Sequence, residues 1–142
     1  MSKARTRSEK DDVARTVLVV DNDKRTVDLI KEILEYEGYT VVPAYCGVAA
    51  AGKAKEAKFA CAILDYALPD MKGDELIEHL RLVDPEVVAI LLSGFTQVIP
   101  RDKLNRFSYV FEKPIQLAEL LAAVQQITTK RINERVQIKK MK

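Results

Sequence analysis

The sequence is poor in the residues on which several kinds of site depend. Its 142 residues contain one histidine, His79, and two cysteines, Cys46 and Cys61, and no tryptophan. A single histidine argues strongly against a histidine-based catalytic triad and against a histidine-rich metal site. The two cysteines lack zinc-binding spacing, and they are typical of reduced thiols rather than of a disulfide framework.

Long apolar stretches are also missing. No run approaches the roughly 18 apolar residues that a membrane-spanning helix needs. The N-terminal residues, MSKARTRSEKDD, are charged and have no apolar core of the kind found in secretory signals. We therefore expect a cytoplasmic protein. With 48% hydrophobic and 31% charged residues, the 142-residue chain suits one globular domain with a sizeable core.

The formal net charge of +2 conceals an uneven distribution along the chain. Residues 1–15 sum to +2, residues 16–127 to −5 and residues 128–142 to +5. We predict a charged N-terminal extension, one folded domain, and a basic tail or helix extension, divided at these boundaries. An acidic body does not favour nucleic-acid binding by the domain itself. The tail could prolong the last helix, pair two subunits as a homodimer, or be disordered.

Five short apolar segments alternate with segments of helical character. The first strand is TVLVV, and the others lie in YTVVPA, FACAILD, VVAILLS and YVFEK. The first helix places Val27, Ile30 and Leu34 on one face, and Gly38 is a natural stop for it. Pro100 interrupts the fourth helical segment, which we expect to be brief or irregular. The alternation predicts an α/β fold, a doubly wound parallel sheet with helices on both faces.

Polar residues stand where the predicted strands end. Asp21, Asn22 and Asp23 follow the first strand, and the third, fourth and fifth end in Asp65, Ser93 and Lys113. A doubly wound sheet gathers such residues at one edge, where ligands bind. Clustered carboxylates repel one another unless a cation or a proton lies among them, and oxygen ligands without His or Cys select a hard ion such as Mg²⁺. A neighbouring lysine and hydroxyl suit a transient anion, so the constellation predicts phosphoryl transfer to an aspartate.

The segments VLVVDND, AILDYALPDMKG, VVAILLSG and YVFEKP resemble the signature segments of the receiver domain of bacterial two-component response regulators. The resemblance covers residues 16–127 and implies a flavodoxin-like fold with strand order 2-1-3-4-5. It implies that Asp65 is the phosphoacceptor, that Ser93 is the switch hydroxyl, and that Lys113 is the active-site lysine before a cis Pro114. It also implies an Mg²⁺ site formed by Asp21, Asn22, Asp65 and the backbone carbonyl of Ala67.

On this resemblance, a sensor histidine kinase or a phosphotransfer protein supplies the phosphoryl group, and an output protein of unknown identity reads the result. The domain is then no enzyme in the usual sense, since it catalyses only its own phosphorylation and dephosphorylation. With about 15 residues after the last helix, we expect a single-domain regulator or a receiver taken from a longer protein.

Three departures from the family pattern bear on this expectation. Asn22 stands where the family usually has a second acid, so we expect weaker Mg²⁺ binding, for which Asp23 could compensate only in part. Val110 replaces an aromatic residue that reorients on phosphorylation in the family. The segment around Pro100 predicts an unusual output surface.

Two other functions fit parts of the sequence. A phosphorylation-independent binding module with the receiver fold would explain Asn22 and Val110. A phosphatase of the haloacid dehalogenase type would explain the DND sequence, but Arg25 and the missing later acidic pair do not match that family.

Overall fold

The structure is a computed structural model that describes residues 13–140, and beyond residue 132 only their backbone. Its strands are β1 (Thr16–Val20), β2 (Thr40–Ala44), β3 (Cys61–Asp65), β4 (Ala89–Ser93) and β5 (Tyr109–Glu112). Its helices are α1 (Lys24–Tyr36), α2 (Gly47–Glu56), α3 (Gly73–Val83), α4 (Arg101–Leu104) and α5 (Leu117–Lys140), with a 3₁₀ turn at Thr96–Val98.

The five strands form one parallel sheet in the order β2-β1-β3-β4-β5. This order confirms the predicted doubly wound, flavodoxin-like fold. The chain moves outward from β1 to β2, then returns to β3 on the other side of β1, so β1 and β3 are neighbours at the point where direction reverses. The carboxyl ends of these two strands therefore lie side by side, which is where such sheets bind ligands.

The central strands are buried on both faces, as their continuous apolar sequences predict. Along β1 the side chains alternate, so Leu18 packs in one core and Val19 in the core on the opposite face. Val27, Ile30 and Leu34 of α1 are all buried in that second core, as their spacing predicted. Gly38, with φ of +91°, follows α1 at the predicted stop, in a conformation that favours glycine.

The segment between β4 and β5 is short and broken, as Pro100 predicted. It consists of the three-residue 3₁₀ turn and the four-residue helix α4, which begins directly after Pro100. Proline fits that position because it lacks an N–H group and its fixed φ suits the entry to a helix. The connection from β4 to β5 therefore contains only seven residues of helical structure, divided between two short pieces.

Helix α5 has 24 residues and a length of about 36 Å, and it continues past residue 127. Its buried Thr128 hydroxyl shares a hydrogen bond of 2.9 Å with the hydroxyl of Tyr39, which ties the helix to the segment before β2. The predicted N-terminal extension lies mostly outside the described residues. Across residues 13–140, no helix combines the length and apolar character needed to cross a membrane.

Candidate functional site

Three of the predicted residues meet at the carboxyl edge of the sheet. Val20 of β1 pairs with Leu64 of β3, so the residues that follow them, Asp21 and Asp65, lie side by side at the carboxyl ends of the two strands. Lys113 follows β5, and its Nζ lies 3.0 Å from Asp21 Oδ2 and 3.3 Å from Asp65 Oδ1. The carboxylates are almost entirely buried, with Asp21 1% and Asp65 5% exposed. The peptide bond between Lys113 and Pro114 is cis, as predicted.

The charges of these three residues are strongly coupled. Burial and the negative charge of Asp21 raise the pKa of Asp65, against the opposing effects of Lys113 and of the Ala67 amide. Burial alone would lower the pKa of Lys113, but its hydrogen bond to Asp21 and the two carboxylate charges outweigh burial and raise that pKa. Two carboxylates thus share one ammonium group, and the remaining negative charge favours a further cation.

Ser93 lies on the neighbouring strand, at the same edge. Asp65 pairs with Leu92 across the β3–β4 ladder, so Ser93 is one residue beyond the partner of Asp65. The Ser93 carbonyl accepts a 2.8 Å hydrogen bond from the amide of Lys113. Its hydroxyl oxygen accepts a 3.2 Å hydrogen bond from the amide of Phe95, so the hydroxyl contacts its own loop.

The residues after Asp21 have different roles. Asn22 is exposed to solvent beside the two buried carboxylates. Asp23 caps helix α1, because its side chain accepts hydrogen bonds of 3.0 Å from the amide of Arg25 and from the hydroxyl of Thr26. The Thr26 hydroxyl and the Arg25 amide hold the pKa of Asp23 below its usual range. Because both Asp23 oxygens are used in this cap, the acid is poorly available to compensate for Asn22.

The loop from Tyr66 to Lys72 places Ala67 beside Asp65. Ala67 pairs with Lys72 as an isolated antiparallel bridge, and its amide donates a hydrogen bond to Asp65. Gly73 closes the loop by donating to the Tyr66 carbonyl at 2.7 Å. A Cβ atom on Gly73 would lie 2.8 Å from the Asp65 carbonyl oxygen, so the close return of the chain requires glycine.

Asp70 anchors this loop to α2. Its two carboxylate oxygens accept hydrogen bonds of 2.8 Å each from the amides of Gly47 and Val48, the first two residues of that helix. The Asp70 carboxylate thus caps a helix that begins 23 residues earlier in the sequence. The residue before α2 is Cys46, whose side chain makes no capping hydrogen bond. The missing local cap was the one sequence signal for a partner from elsewhere.

The donor atoms at the edge suit a hard cation. Asp21, Asp65, Asn22 and the Ala67 carbonyl offer only oxygen ligands, the kind that Mg²⁺ prefers. Among the described residues, no group of three or more His, Cys, Asp or Glu side chains is placed to hold a metal ion. Position 22 offers an amide oxygen rather than a carboxylate, so Asp21 and Asp65 are the two acids of this donor set. The residues therefore fit Mg²⁺ with two carboxylate charges rather than three.

The aromatic residues of β5 face away from the loop after Ser93. Val110 packs against the core that contains Ile99 and Phe107, whereas Tyr109 and Phe111 pack on the opposite face, against the core that includes α5. The rings of Tyr109 and Phe111 are stacked, with centroids 6.1 Å apart. No aromatic side chain of β5 therefore lies on the Val110 face, as the sequence suggested.

Two polar contacts flank the loop after Ser93, and the sequence gave no indication of either. Glu112 accepts hydrogen bonds from the amide and the hydroxyl of Thr96. On the other side, buried Asp74 of α3 forms an ion pair of 3.4 Å with Lys103 of α4. The other Asp74 oxygen is buried without a hydrogen-bond partner among the described residues.

Comparison with known proteins bears directly on this arrangement. Residues 17–125 match the response regulator receiver domain family. YkoG, an uncharacterized transcriptional regulatory protein of Bacillus subtilis, is 32% identical over 113 residues, covering 76% of this chain and 48% of YkoG. A CheY-like receiver domain protein of Methanospirillum hungatei superposes with a TM-score of 0.77 at 29% identity, covering 84% of this chain and 98% of that one.

A third similar protein was crystallised with ligands. The response regulator TrrA of Thermotoga maritima, in complex with Mg²⁺–BeF, superposes with a TM-score of 0.73 at 26% identity. The match covers 80% of this chain and 98% of TrrA. By contrast, the matches span half or less of the length of the first curated transcriptional regulators.

Proposed function

The chain belongs to the response regulator receiver domain family, and from this membership we propose that Asp65 is a phosphoacceptor whose phosphorylation switches a protein–protein interaction surface. The observation that carries the proposal is the position of Lys113, which contacts Asp65 and Asp21 at once. An ammonium group at this point can balance the negative charge of the two carboxylates before transfer. It can then balance the negative charge of the transferred phosphoryl oxygens.

The reaction is a transfer between two protein side chains. An ionised Asp65 oxygen attacks the phosphorus of a phosphohistidine, the P–N bond breaks, and an acyl phosphate forms as the imidazole leaves. Lys113 donates a hydrogen bond to the phosphoryl group, and Ser93 turns its hydroxyl toward that group. Asp21, Asn22, Asp65 and the Ala67 carbonyl would hold Mg²⁺, which would supply positive charge for the phosphoryl oxygens.

The proposal extends to partners and organisation. A histidine kinase or a phosphotransfer protein supplies the phosphoryl group in the cytoplasm, and an output protein binds the switched surface. The domain catalyses only its own phosphorylation and its own dephosphorylation by water. Residues 16–127 form the receiver, flanked by a charged extension at residues 1–15 and a basic extension at residues 128–142 that could pair two copies.

The two other functions considered have less support. A haloacid dehalogenase-type phosphatase would use Asp23 in its chemistry, but this carboxylate is engaged in capping α1. A phosphorylation-independent binding module would explain Asn22, yet it gives no reason for two buried carboxylates held on one lysine. The match of residues 17–125 to the receiver family also counts against the phosphatase.

The test is a titration with Mg²⁺ in the presence and absence of beryllofluoride, a phosphoryl mimic, followed by the amide chemical shifts of Asp65, Ser93 and Lys113. We expect saturable shifts that require both components and disappear in Asp65→Ala. Asp84→Ala, at the far end of α3, is the matched control and should respond like the wild type. No response of the wild-type protein at several millimolar Mg²⁺ would contradict the proposal and favour a binding module.

A further inference from the structure

The carboxylate of Glu112 holds the loop that follows Ser93. Its Oε1 accepts a 3.2 Å hydrogen bond from the amide of Thr96 and a second hydrogen bond from the Thr96 hydroxyl. These two contacts, the hydroxyl first, keep the pKa of Glu112 below its usual range. The side chain is therefore charged at neutral pH, so both hydrogen bonds are charge-assisted, and both lie at the solvent-exposed surface.

The four residues from Ser93 to Thr96 form a short arc that is hydrogen-bonded at both ends to β5 and the residue after it. At its start, the Lys113 amide donates to the Ser93 carbonyl, and Ser93 pairs with Glu112 across the ladder. At its end, the Glu112 side chain holds Thr96. Inside the arc, the Phe95 amide donates to the Ser93 hydroxyl oxygen. The hydroxyl and the two anchoring points therefore belong to one hydrogen-bonded unit.

Apolar packing contributes little to holding this arc. Gly94 and Phe95 are exposed, and the first buried apolar residue after Ser93 is Ile99. Phe95 is 76% and Val98 75% exposed, so neither side chain anchors the loop in a core. With so few buried contacts, the polar contact between Glu112 and Thr96 is the main restraint that the structure shows on this part of the loop.

We propose that Glu112 is a positioning residue that holds the Ser93 loop in its phosphoryl-free arrangement and so opposes the switch. The inference rests on the proposed phosphoacceptor function. As the Ser93 hydroxyl moves to donate to a phosphoryl group on Asp65, the Phe95 amide that donates to its oxygen either moves with it or releases it, and both changes displace the short arc. That movement requires the Glu112–Thr96 contact to loosen, so the strength of this contact sets part of the free energy needed for activation.

The test measures the affinity for beryllofluoride at saturating Mg²⁺ in the full chain. Glu112→Gln and Thr96→Val should bind about three- to tenfold more tightly than the wild type, since each weakens a charge-assisted hydrogen bond present only before activation. Thr96→Ser keeps the hydroxyl and should retain wild-type affinity. Glu119→Gln removes an exposed acid from the first turn of α5 and is the charge-matched control.

A second measurement separates positioning from general structural support. Without beryllofluoride, the amide shifts of Ser93 and Phe95 in Glu112→Gln should lie part of the way toward the values that the wild type shows when saturated. A variant that was only less stable would show a lower unfolding midpoint without this directed change.

The possible results are distinct. If the wild-type protein binds beryllofluoride and both variants bind it with equal or weaker affinity, the role of Glu112 is overturned and the phosphoacceptor function remains intact. Absence of any response in the wild-type protein would overturn the phosphoacceptor function, and the role of Glu112 with it. Tighter binding in Glu112→Gln and Thr96→Val, with wild-type affinity in Thr96→Ser and Glu119→Gln, supports the proposal.

Discussion

Lys113 donates a 3.0 Å hydrogen bond to Asp21, although 92 positions separate the two residues in the sequence. The same ammonium group lies 3.3 Å from Asp65, which is itself buried. One cation thus serves two carboxylates that repel each other. The excess negative charge costs stability in the free protein and favours a bound cation.

Replacement of Asp65 by asparagine should stabilise the metal-free protein at pH 7. The folded protein raises the pKa of Asp65, so it favours the protonated form of this side chain. The stability gained from that preference is lost as the pH rises from the ordinary carboxyl pKa through the raised pKa. Asparagine does not ionise, so its advantage should be greatest near pH 7.5 and should vanish below the ordinary carboxyl value of about pH 4. Thermal unfolding with a chelator present, from pH 4 to pH 7.5, measures this.

The exposed Asp28 of α1 provides the control for that experiment. Asp28→Asn removes a charge from the exposed surface and should change the unfolding midpoint little. If Asp65→Asn were less stable than the wild type throughout this range, the charges at the site would be better balanced than the structure indicates.

Restoring an acid at position 22 should strengthen Mg²⁺ binding. Asn22→Asp adds a third carboxylate next to Asp21 and Asp65, and we expect a gain of about tenfold in affinity from the added charge. Isothermal titration with Mg²⁺ alone measures it. Asn105→Asp, which adds the same charge after α4, should leave the affinity almost unchanged. Equal gains in both variants would point to overall charge rather than to a ligand at position 22.

Loss of the Asp70 carboxylate should loosen the loop that carries Ala67. Asp70→Ala leaves the amides of Gly47 and Val48 without their cap, and we expect the unfolding midpoint to fall by a few degrees. Mg²⁺ affinity should fall with it, because the Ala67 carbonyl is less well placed. Asp70→Asn keeps an oxygen acceptor and should recover part of both losses. An unchanged Mg²⁺ affinity in Asp70→Ala would show that the loop holds its position without α2.

In the ion pair between α3 and α4, Asp74 is buried and Lys103 is partly exposed, so loss of the lysine should destabilise the protein. Lys103→Met leaves the buried Asp74 carboxylate unpaired, and we expect a loss of about 1–2 kcal/mol in urea unfolding, moderated because Lys103 is 36% exposed. Addition of Asp74→Leu should restore most of this loss, since an apolar side chain suits the site. If the double variant were no more stable than Lys103→Met, the unpaired carboxylate would not be the cause.

Much of the fold and of the candidate site follows from the sequence. The five apolar segments predicted the five strands, and the positions of Asp21, Asp65, Ser93 and Lys113 at strand ends predicted that they lie at one edge. This holds because a parallel sheet brings the carboxyl ends of its strands together whatever the separation along the chain. Pro100 likewise predicted a broken fourth helix, because it cannot continue a helical hydrogen-bond pattern.

Only the tertiary structure decided which polar side chains meet away from the strand ends. Asp70 caps α2, Glu112 holds Thr96, and Asp74 pairs with Lys103, and none of these pairs follows a helical or strand period. Such contacts depend on how loops return over the sheet and on the directions in which individual side chains leave the backbone. Periodicity in a sequence specifies which face is buried, whereas it carries no information about which distant polar groups will come into contact.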